Sequence, residues 1–213
     1  HGYETAGGNS DANGIGDFKY SPPSGHLALC SANLDDDDFA TIGPSQSKQA
    51  NDFFDVLTYS GTNSSQNVTG LDFKPDWVLI KSRSHSSNPS FFDSTRTPVG
   101  TALFANTTGA NTDNTANFTA FRTDGFTVAS NGGDTNLSGR TYVAWNWKAN
   151  GGSASTISAD SVSSGVPSVA SSVQADTNSG FSIVTFPANN TNATKVAHGL
   201  GAVPKLIIAK ETG

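Results

Sequence analysis

The sequence predicts an all-β protein. It is built of tandem antiparallel β-sandwich modules joined by Gly/Ser/Asp-rich linkers, and it is expected to be a fragment of a longer chain. Three observations carry this expectation. Short alternating or apolar runs recur between turns rich in Gly, Asn and Asp. No stretch sustains a helical period. One long stretch occurs twice.

That stretch is Val68-Thr69-Gly70-Leu71-Asp72-Phe73-Lys74-Pro75-Asp76-Trp77-Val78-Leu79-Ile80-Lys81. Near the C-terminus, Gly199-Leu200 matches Gly70-Leu71 and Pro204 matches Pro75. Leu206-Ile207-Ile208 matches Trp77-Val78-Leu79, and Lys210 matches Lys81. Upstream, Phe181-Ser182-Ile183-Val184-Thr185-Phe186 matches Phe54-Asp55-Val56-Leu57-Thr58-Tyr59. A repeat of this length is domain-sized, so it signals beads on a string and not a short-period solenoid.

In chain order, residues 1–34 are too few to bury a core and are expected to finish a β domain that begins upstream or to pack on a neighbour. Asp17-Phe18-Lys19-Tyr20 alternates as a half-buried strand does, Ser21-Pro22-Pro23-Ser24-Gly25 breaks it, and His26–Cys30 is a second short apolar run. Residues 35–50 are an acidic linker, since Asp35, Asp36, Asp37 and Asp38 repel one another and stay solvated. Residues 51–149 form the complete sandwich module. Its strands fall at Phe54–Tyr59, Trp77–Ile80, Phe91–Asp93, Ala102–Phe104, Asn117–Phe121, Phe126–Val128 and Thr141–Lys148. Trp77–Ile80 is apolar on both faces, so it is expected at the centre. In the last strand Tyr142, Ala144 and Asn146 share one face, and Val143, Trp145 and Trp147 the other. Residues 150–179 are a Ser/Gly/Ala/Val-rich linker. Any weak strands at its spaced Ile157, Val162, Val166, Val169 and Val173 are expected to pair with a neighbouring chain. Residues 180–213 begin a second copy of the module.

Composition narrows the function classes. A net charge of −6 with singly scattered basic residues argues against a nucleic-acid partner. No run of 18 apolar residues offers a helical membrane span. The single cysteine, Cys30, sits in an apolar run and reads as a buried thiol; no intrachain disulfide can form. The chain begins with His1-Gly2-Tyr3-Glu4, which is no signal peptide, and it stops inside the second copy. Both features prompt the expectation of a fragment.

A search for chemistry yields little. Asp35 to Asp38 are weak candidates for calcium, because calcium loops space their carboxylates at alternate positions around a Gly. The four His, His1, His26, His85 and His198, form no metal-type pair, and His198 reads as a turn residue because Thr69 stands at its place in the first copy. Asp72, Asp76, Asp93, Asp113 and Asp124 read as turn acids. No nucleophile elbow or phosphate loop is found, so neither catalytic residues nor cofactor are expected. Asn-x-Ser/Thr triplets begin at Asn63, Asn67, Asn106, Asn117, Asn136, Asn189 and Asn192, and arise by chance in a chain this rich in those residues. Trp145 and Trp147 share a strand face and are candidates for stacking on a sugar. The competing reading for the tryptophans is core packing, favoured at Trp77 because Leu206 replaces it in the second copy.

Two groups of motifs resemble known modules. Asp17–Gly25 with Leu27–Leu34 resembles the end of SPRY-like, concanavalin-like sandwich modules in large structural proteins of marine bacteriophages. Gly70-Leu71 through Lys81, Phe92–Arg96, Asp124-Gly125-Phe126 and Tyr142–Ala149 resemble a β module of unknown function. That module follows the first one in cyanophage-type tail or fibre proteins. Similar modules often show Arg-Gly where this chain has Arg96-Thr97, and the Asp35–Asp38 run is unusual. The resemblance implies a non-enzymatic virion protein of a tail fibre or other particle-surface appendage, with virion or extracellular location. Its implied work is assembly and host-surface attachment. Its implied partners are other virion proteins, further copies of itself (a trimer) and host-surface glycan. The interfaces between copies are expected on apolar strand faces and along 150–179. The alternatives are a secreted lectin-like module and a polysaccharide depolymerase domain.

Overall fold

A computed structural model describes residues 7–26, 49–110, 112–113, 117–129, 132–159, 167–189 and 194–212. Among the described residues, twelve strands follow a short 3-10 turn at Ala50–Asp52. They are β1 (Phe54–Ser60), β2 (Gln66–Thr69), β3 (Trp77–Ser82), β4 (Ser90–Asp93), β5 (Thr101–Phe104), β6 (Thr112–Asp113), β7 (Phe118–Arg122), β8 (Gly125–Val128), β9 (Thr141–Trp147), β10 (Ser155–Ile157), β11 (Ser171–Asp176) and β12 (Phe181–Thr185). The expected all-β sandwich is what these residues form.

A six-stranded sheet runs β1-β9-β3-β4-β5-β6, and a three-stranded sheet runs β2-β8-β7. Every pairing is antiparallel. The inner faces of these two sheets make the core. Val78, Ile80, Phe92, Ala102, Tyr142 and Ala144 come from the large sheet, and Val68, Phe118, Phe126 and Val128 from the small one. Leu57, Tyr59, Phe104 and Phe121 pack on its margin. The two sheets meet at Phe92 and Phe118, whose rings stack at 4.4 Å.

Strand β9 is the spine. It pairs with β1 on one edge and β3 on the other, which places Phe54, Trp147 and Trp77 in one row and Tyr59, Tyr142 and Ser82 in another. Its alternation resolves in a definite sense. Tyr142, Ala144 and Asn146 face the core, whereas Val143, Trp145 and Trp147 lie half-buried on the outer face. Trp77 is also on that outer face, which corrects its expected core position; its neighbours Val78 and Ile80 are the core residues. The strand is apolar on both sides because aromatic rings cover part of the outer face as well. Between β7 and β8 the turn requires Gly125: its φ is +155°, and a Cβ there would strike the Val68 carbonyl oxygen.

Tyr142 brings a phenol into the core by giving it partners. Its hydroxyl accepts a bond from the Leu137 N–H at 2.9 Å and donates to the Gly133 carbonyl at 3.1 Å. Tyr59 stacks on it at 5.3 Å and donates to the Thr135 carbonyl at 2.6 Å. Burial raises the pKa of both phenols; the neighbouring Tyr142 adds to the effect at Tyr59, and the Leu137 N–H opposes it at Tyr142. The unfolded chain therefore ionises first, near pH ~10. Stability from these groups is fully present below that pH and is lost as pH rises towards the folded values. Alkaline titration should show, beyond the early rise from exposed Tyr20, a delayed rise in tyrosinate absorbance that coincides with loss of near-ultraviolet dichroism; ionisation of all four tyrosines before unfolding would contradict the buried placement.

Two expectations outside this module are corrected. The alternating Asp17–Tyr20 is no strand: Phe18 makes a single bridge to Asn9, and Tyr20 is 76% exposed. The segment 150–179 is more than a linker, because it contains β10 and β11. These form a third sheet, ordered β10-β11-β12. Ser171–Asp176 pairs with this chain's own Phe181–Thr185, not with a neighbour, and Val169 and Val173 are buried. Alternation in Ser171–Asp176, with a tight turn before Phe181, makes a hairpin cheaper to close than any intermolecular pairing. In the second copy, Phe181–Thr185 repeats the strand at β1. Leu206–Lys210, the counterpart of β3 in sequence, belongs to no sheet.

Candidate functional site: the outer aromatic face and its joint

The outer face of the six-stranded sheet collects aromatic rings because β1, β9, β3 and β4 align them in register. Trp77 lies 4.6 Å from Trp147 and stacks on Phe91 at 4.9 Å. Phe54 lies 4.8 Å from Trp147. Phe181, the first residue of β12, reaches across to Trp77 at 5.8 Å and to Trp147 at 6.1 Å. Trp147 thus touches both Phe54 and Phe181, the equivalent first residues of the two repeated strands. Of the two sugar-stacking candidates, Trp147 is engaged in this cluster. Trp145 stands two residues earlier on the same face, between Val56 and Leu79 of the adjacent strands. Val56 is 39% exposed, so this end of the face remains open to solvent.

A polar joint lies beside the aromatic cluster. The Asp76 carboxylate is fully buried. One oxygen accepts the N–H groups of Ala149 at 2.8 Å and Gly151 at 2.9 Å, and the other accepts the Ser94 hydroxyl at 2.9 Å. Gln174 of β11 completes it. Its amide donates to Ser94 at 2.8 Å and to Thr95 at 3.0 Å, and its carbonyl oxygen accepts the Gly152 N–H at 2.6 Å. Gln174 is also fully buried. Asp76 and Gln174 therefore fasten the third sheet to the first module. A buried polar group is tolerable only when its bonds are made, and here each is made.

In the sequence, Asp76 reads as a turn acid and Gln174 falls within a linker. No local pattern marks either one, and the repeat gives no help, since Lys205 stands where the first copy has Asp76. Asp93 is the turn acid expected of it: it accepts the N–H groups of Thr95 and Arg96 and pairs with the Arg96 guanidinium at 2.6 Å. Asn136, the head of an Asn-x-Ser triplet, is buried and makes four bonds. Its oxygen accepts from Thr62 and Gln66, and its amide donates to Ser64 and Ala129. It ties the β1–β2 connection to the segment before β9, and it is closed to a glycan.

The remaining candidates separate. Asp35, Asp36, Asp37, Asp38 and Cys30 lie outside the described residues. Among the described residues no three His, Cys, Asp or Glu side chains gather as a metal site. The ring of His198 accepts the Leu200 N–H at 3.1 Å, a local turn contact. An open trough of about 370 Å³ runs along the third sheet between Thr156, Ser171, Ser172, Thr185 and Phe186, and no charged side chain lines it. No described helix is long and apolar enough to cross a membrane.

A family model described as a domain of unknown function, DUF7483, matches residues 49–213. No curated protein and no solved structure matches the chain. The matched span covers both sheets of the sandwich, the third sheet and the residues that follow it.

Proposed function

We propose that this chain, which belongs to the DUF7483 family of domains of unknown function, is a structural and adhesive virion protein. In this reading it forms part of a phage tail fibre or another particle-surface appendage, and serves assembly and host-surface attachment. The observation that supports it best is the joint. Consecutive repeat units are held by the buried Asp76–Ser94–Gln174 bonds and by Phe181 on Trp77 and Trp147, not by a slack tether. A row of modules joined in this way transmits force and keeps a fixed spacing, as an appendage requires. Its partners are other virion proteins, further copies in a homotrimer, and host-surface glycan, whose weak contacts multiply when copies are presented together. The chemistry calls for no cofactor. Electron microscopy of intact particles should place the chain on the surface or tail, with identifiable neighbours. Recovery of the chain only as a free monomer, never particle-bound, would overturn the proposal.

A second reading, a lectin-like module, is favoured by one observation: Trp145 beside the exposed Val56 on an open sheet face. Aromatic faces of this kind stack on the apolar face of a sugar ring. On a glycan array, Trp145→Ala should abolish binding while thermal unfolding shifts little. Retained binding, or binding lost only along with the fold, would remove this reading.

A further inference from the structure

We propose that Asn150 is a site of self-modification, at which the Asp76 carboxylate drives closure of the Asn150 side chain onto the Gly151 nitrogen and its conversion to aspartate and isoaspartate. Asn-Gly is the pair best suited to this closure, because glycine has no Cβ to obstruct attack by its own nitrogen on the preceding side chain. The pair occurs at Asn13, Asn131 and Asn150. At Asn13 the Gly14 N–H donates to a backbone carbonyl, that of Asp11, at 3.0 Å. Asn131 lies outside the described residues. At Asn150 the Gly151 N–H donates to a carboxylate oxygen of Asp76 at 2.9 Å.

The parts of an acyl-transfer site meet in this turn. The nucleophile is the Gly151 nitrogen, whose proton already points at the Asp76 carboxylate. That carboxylate is fully buried, and the Ala149 N–H at 2.8 Å and the Ser94 hydroxyl at 2.9 Å hold it in place. The electrophile is the Asn150 side-chain amide. Its oxygen accepts the Ser153 N–H at 3.1 Å, a donor set where negative charge develops as the tetrahedral adduct forms. The Lys74 ammonium donates to the Gly151 carbonyl at 3.3 Å and adds a positive charge to the same turn. Asn150 is exposed, so water can enter and ammonia can leave.

In the closing step the Gly151 nitrogen bonds to Asn150 Cγ while its proton passes to Asp76 Oδ2. The Cγ–Nδ2 bond then breaks, and the proton moves from Asp76 to the departing nitrogen, which leaves as ammonia. Water opens the cyclic imide at either carbonyl. Opening at Cγ gives aspartate, and opening at the main-chain carbonyl gives isoaspartate. The imide nitrogen carries no proton, so Asp76 lacks that donor while the ring persists. Isoaspartate adds a backbone methylene between β9 and β10. It shifts Gly151 and Gly152, whose N–H groups hold Asp76 and Gln174. The reaction therefore loosens, with age, the joint that fastens the third sheet. None of these steps depends on the location or partners of the chain.

The test incubates the 213-residue chain at neutral pH in water enriched in heavy oxygen, either folded or in guanidinium chloride, and follows label entering Asn150 by peptide mass spectrometry. Conversion should be about tenfold faster in the folded chain, a modest share of what a positioned general base supplies. Asp76→Asn should remove that advantage. Gln174→Ala loosens the joint but keeps the carboxylate, and should retain the advantage. Conversion no faster in the folded chain than in denaturant overturns the proposal, and this comparison decides even if Asp76→Asn does not fold. Undiminished acceleration in a folded Asp76→Asn chain also overturns it. So does an equal loss in Gln174→Ala, which would assign the effect to the rigidity of the joint.

Discussion

Replacing Phe118 by alanine is expected to destabilise the sandwich by about 3–5 kcal/mol. The ring is fully buried, stacks on Phe92 of the opposite sheet at 4.4 Å and lies 5.6 Å from Phe126. It is the point at which the three-stranded sheet grips the six-stranded one. A strand with a bulge cannot slide to refill the space, and β7 has one between Phe118 and Ala120, so the cavity should persist. The expected reading is a lower urea midpoint with an unchanged slope. A loss below about 1 kcal/mol would mean that the site collapses freely, and that these two sheets do not meet there.

Replacing Asp76 by alanine should cost about 2–4 kcal/mol, although it removes only one small side chain. The loss arises from the donors left behind. The buried Ala149 N–H, the Gly151 N–H and the Ser94 hydroxyl all lose their acceptor. The effect should be local in a way that Phe118→Ala is not. Hydrogen exchange should quicken at Ala149, Gly151 and β11, and much less in β7 and β8. Because Ser94 bonds to both Asp76 and Gln174, Gln174→Ala should cost less in the Asp76→Ala background than alone, with coupling of roughly 0.5–3 kcal/mol. Strictly additive effects would show that the carboxylate and the amide do not work as one fastening.

The two predictions rest on residues of very different legibility. Phe118 stands in an alternating run before an Asp-Gly turn, and its burial follows from the period of a strand. Asp76 stands between a Pro and an apolar run, where an acid usually caps a turn. Its burial depends on Gln174, nearly a hundred residues away, folding back to close the site. The tryptophans show the same division. That Trp145 and Trp147 share a face follows from strand geometry. Which face turns to the core follows from the partner sheet. Phe118, Phe126 and Val128 fill the inner space so fully that β9 presents Tyr142, Ala144 and Asn146 inward and leaves its indoles outside.

The repeat was legible because identical strands need similar residues, and it located both β1 and β12. It did not foretell that the two copies would be paired differently. The strand β1 lies beside β9, whereas β12 lies beside β11, and Leu206–Lys210 stays out of any sheet. Propensity makes a segment able to be a strand, but backbone hydrogen bonds across an edge make it one.

By itself, then, the sequence determined the all-β class, the positions of most strands and the alternation within them, since all of these are set by neighbours a few residues apart. Tertiary structure alone decided which faces are core, that the Ser/Ala/Val-rich stretch joins a third sheet, and that Asp76 and Gln174 become one buried joint. Those outcomes depend on which distant surfaces meet, because a polar group can be buried only where its partner arrives with it.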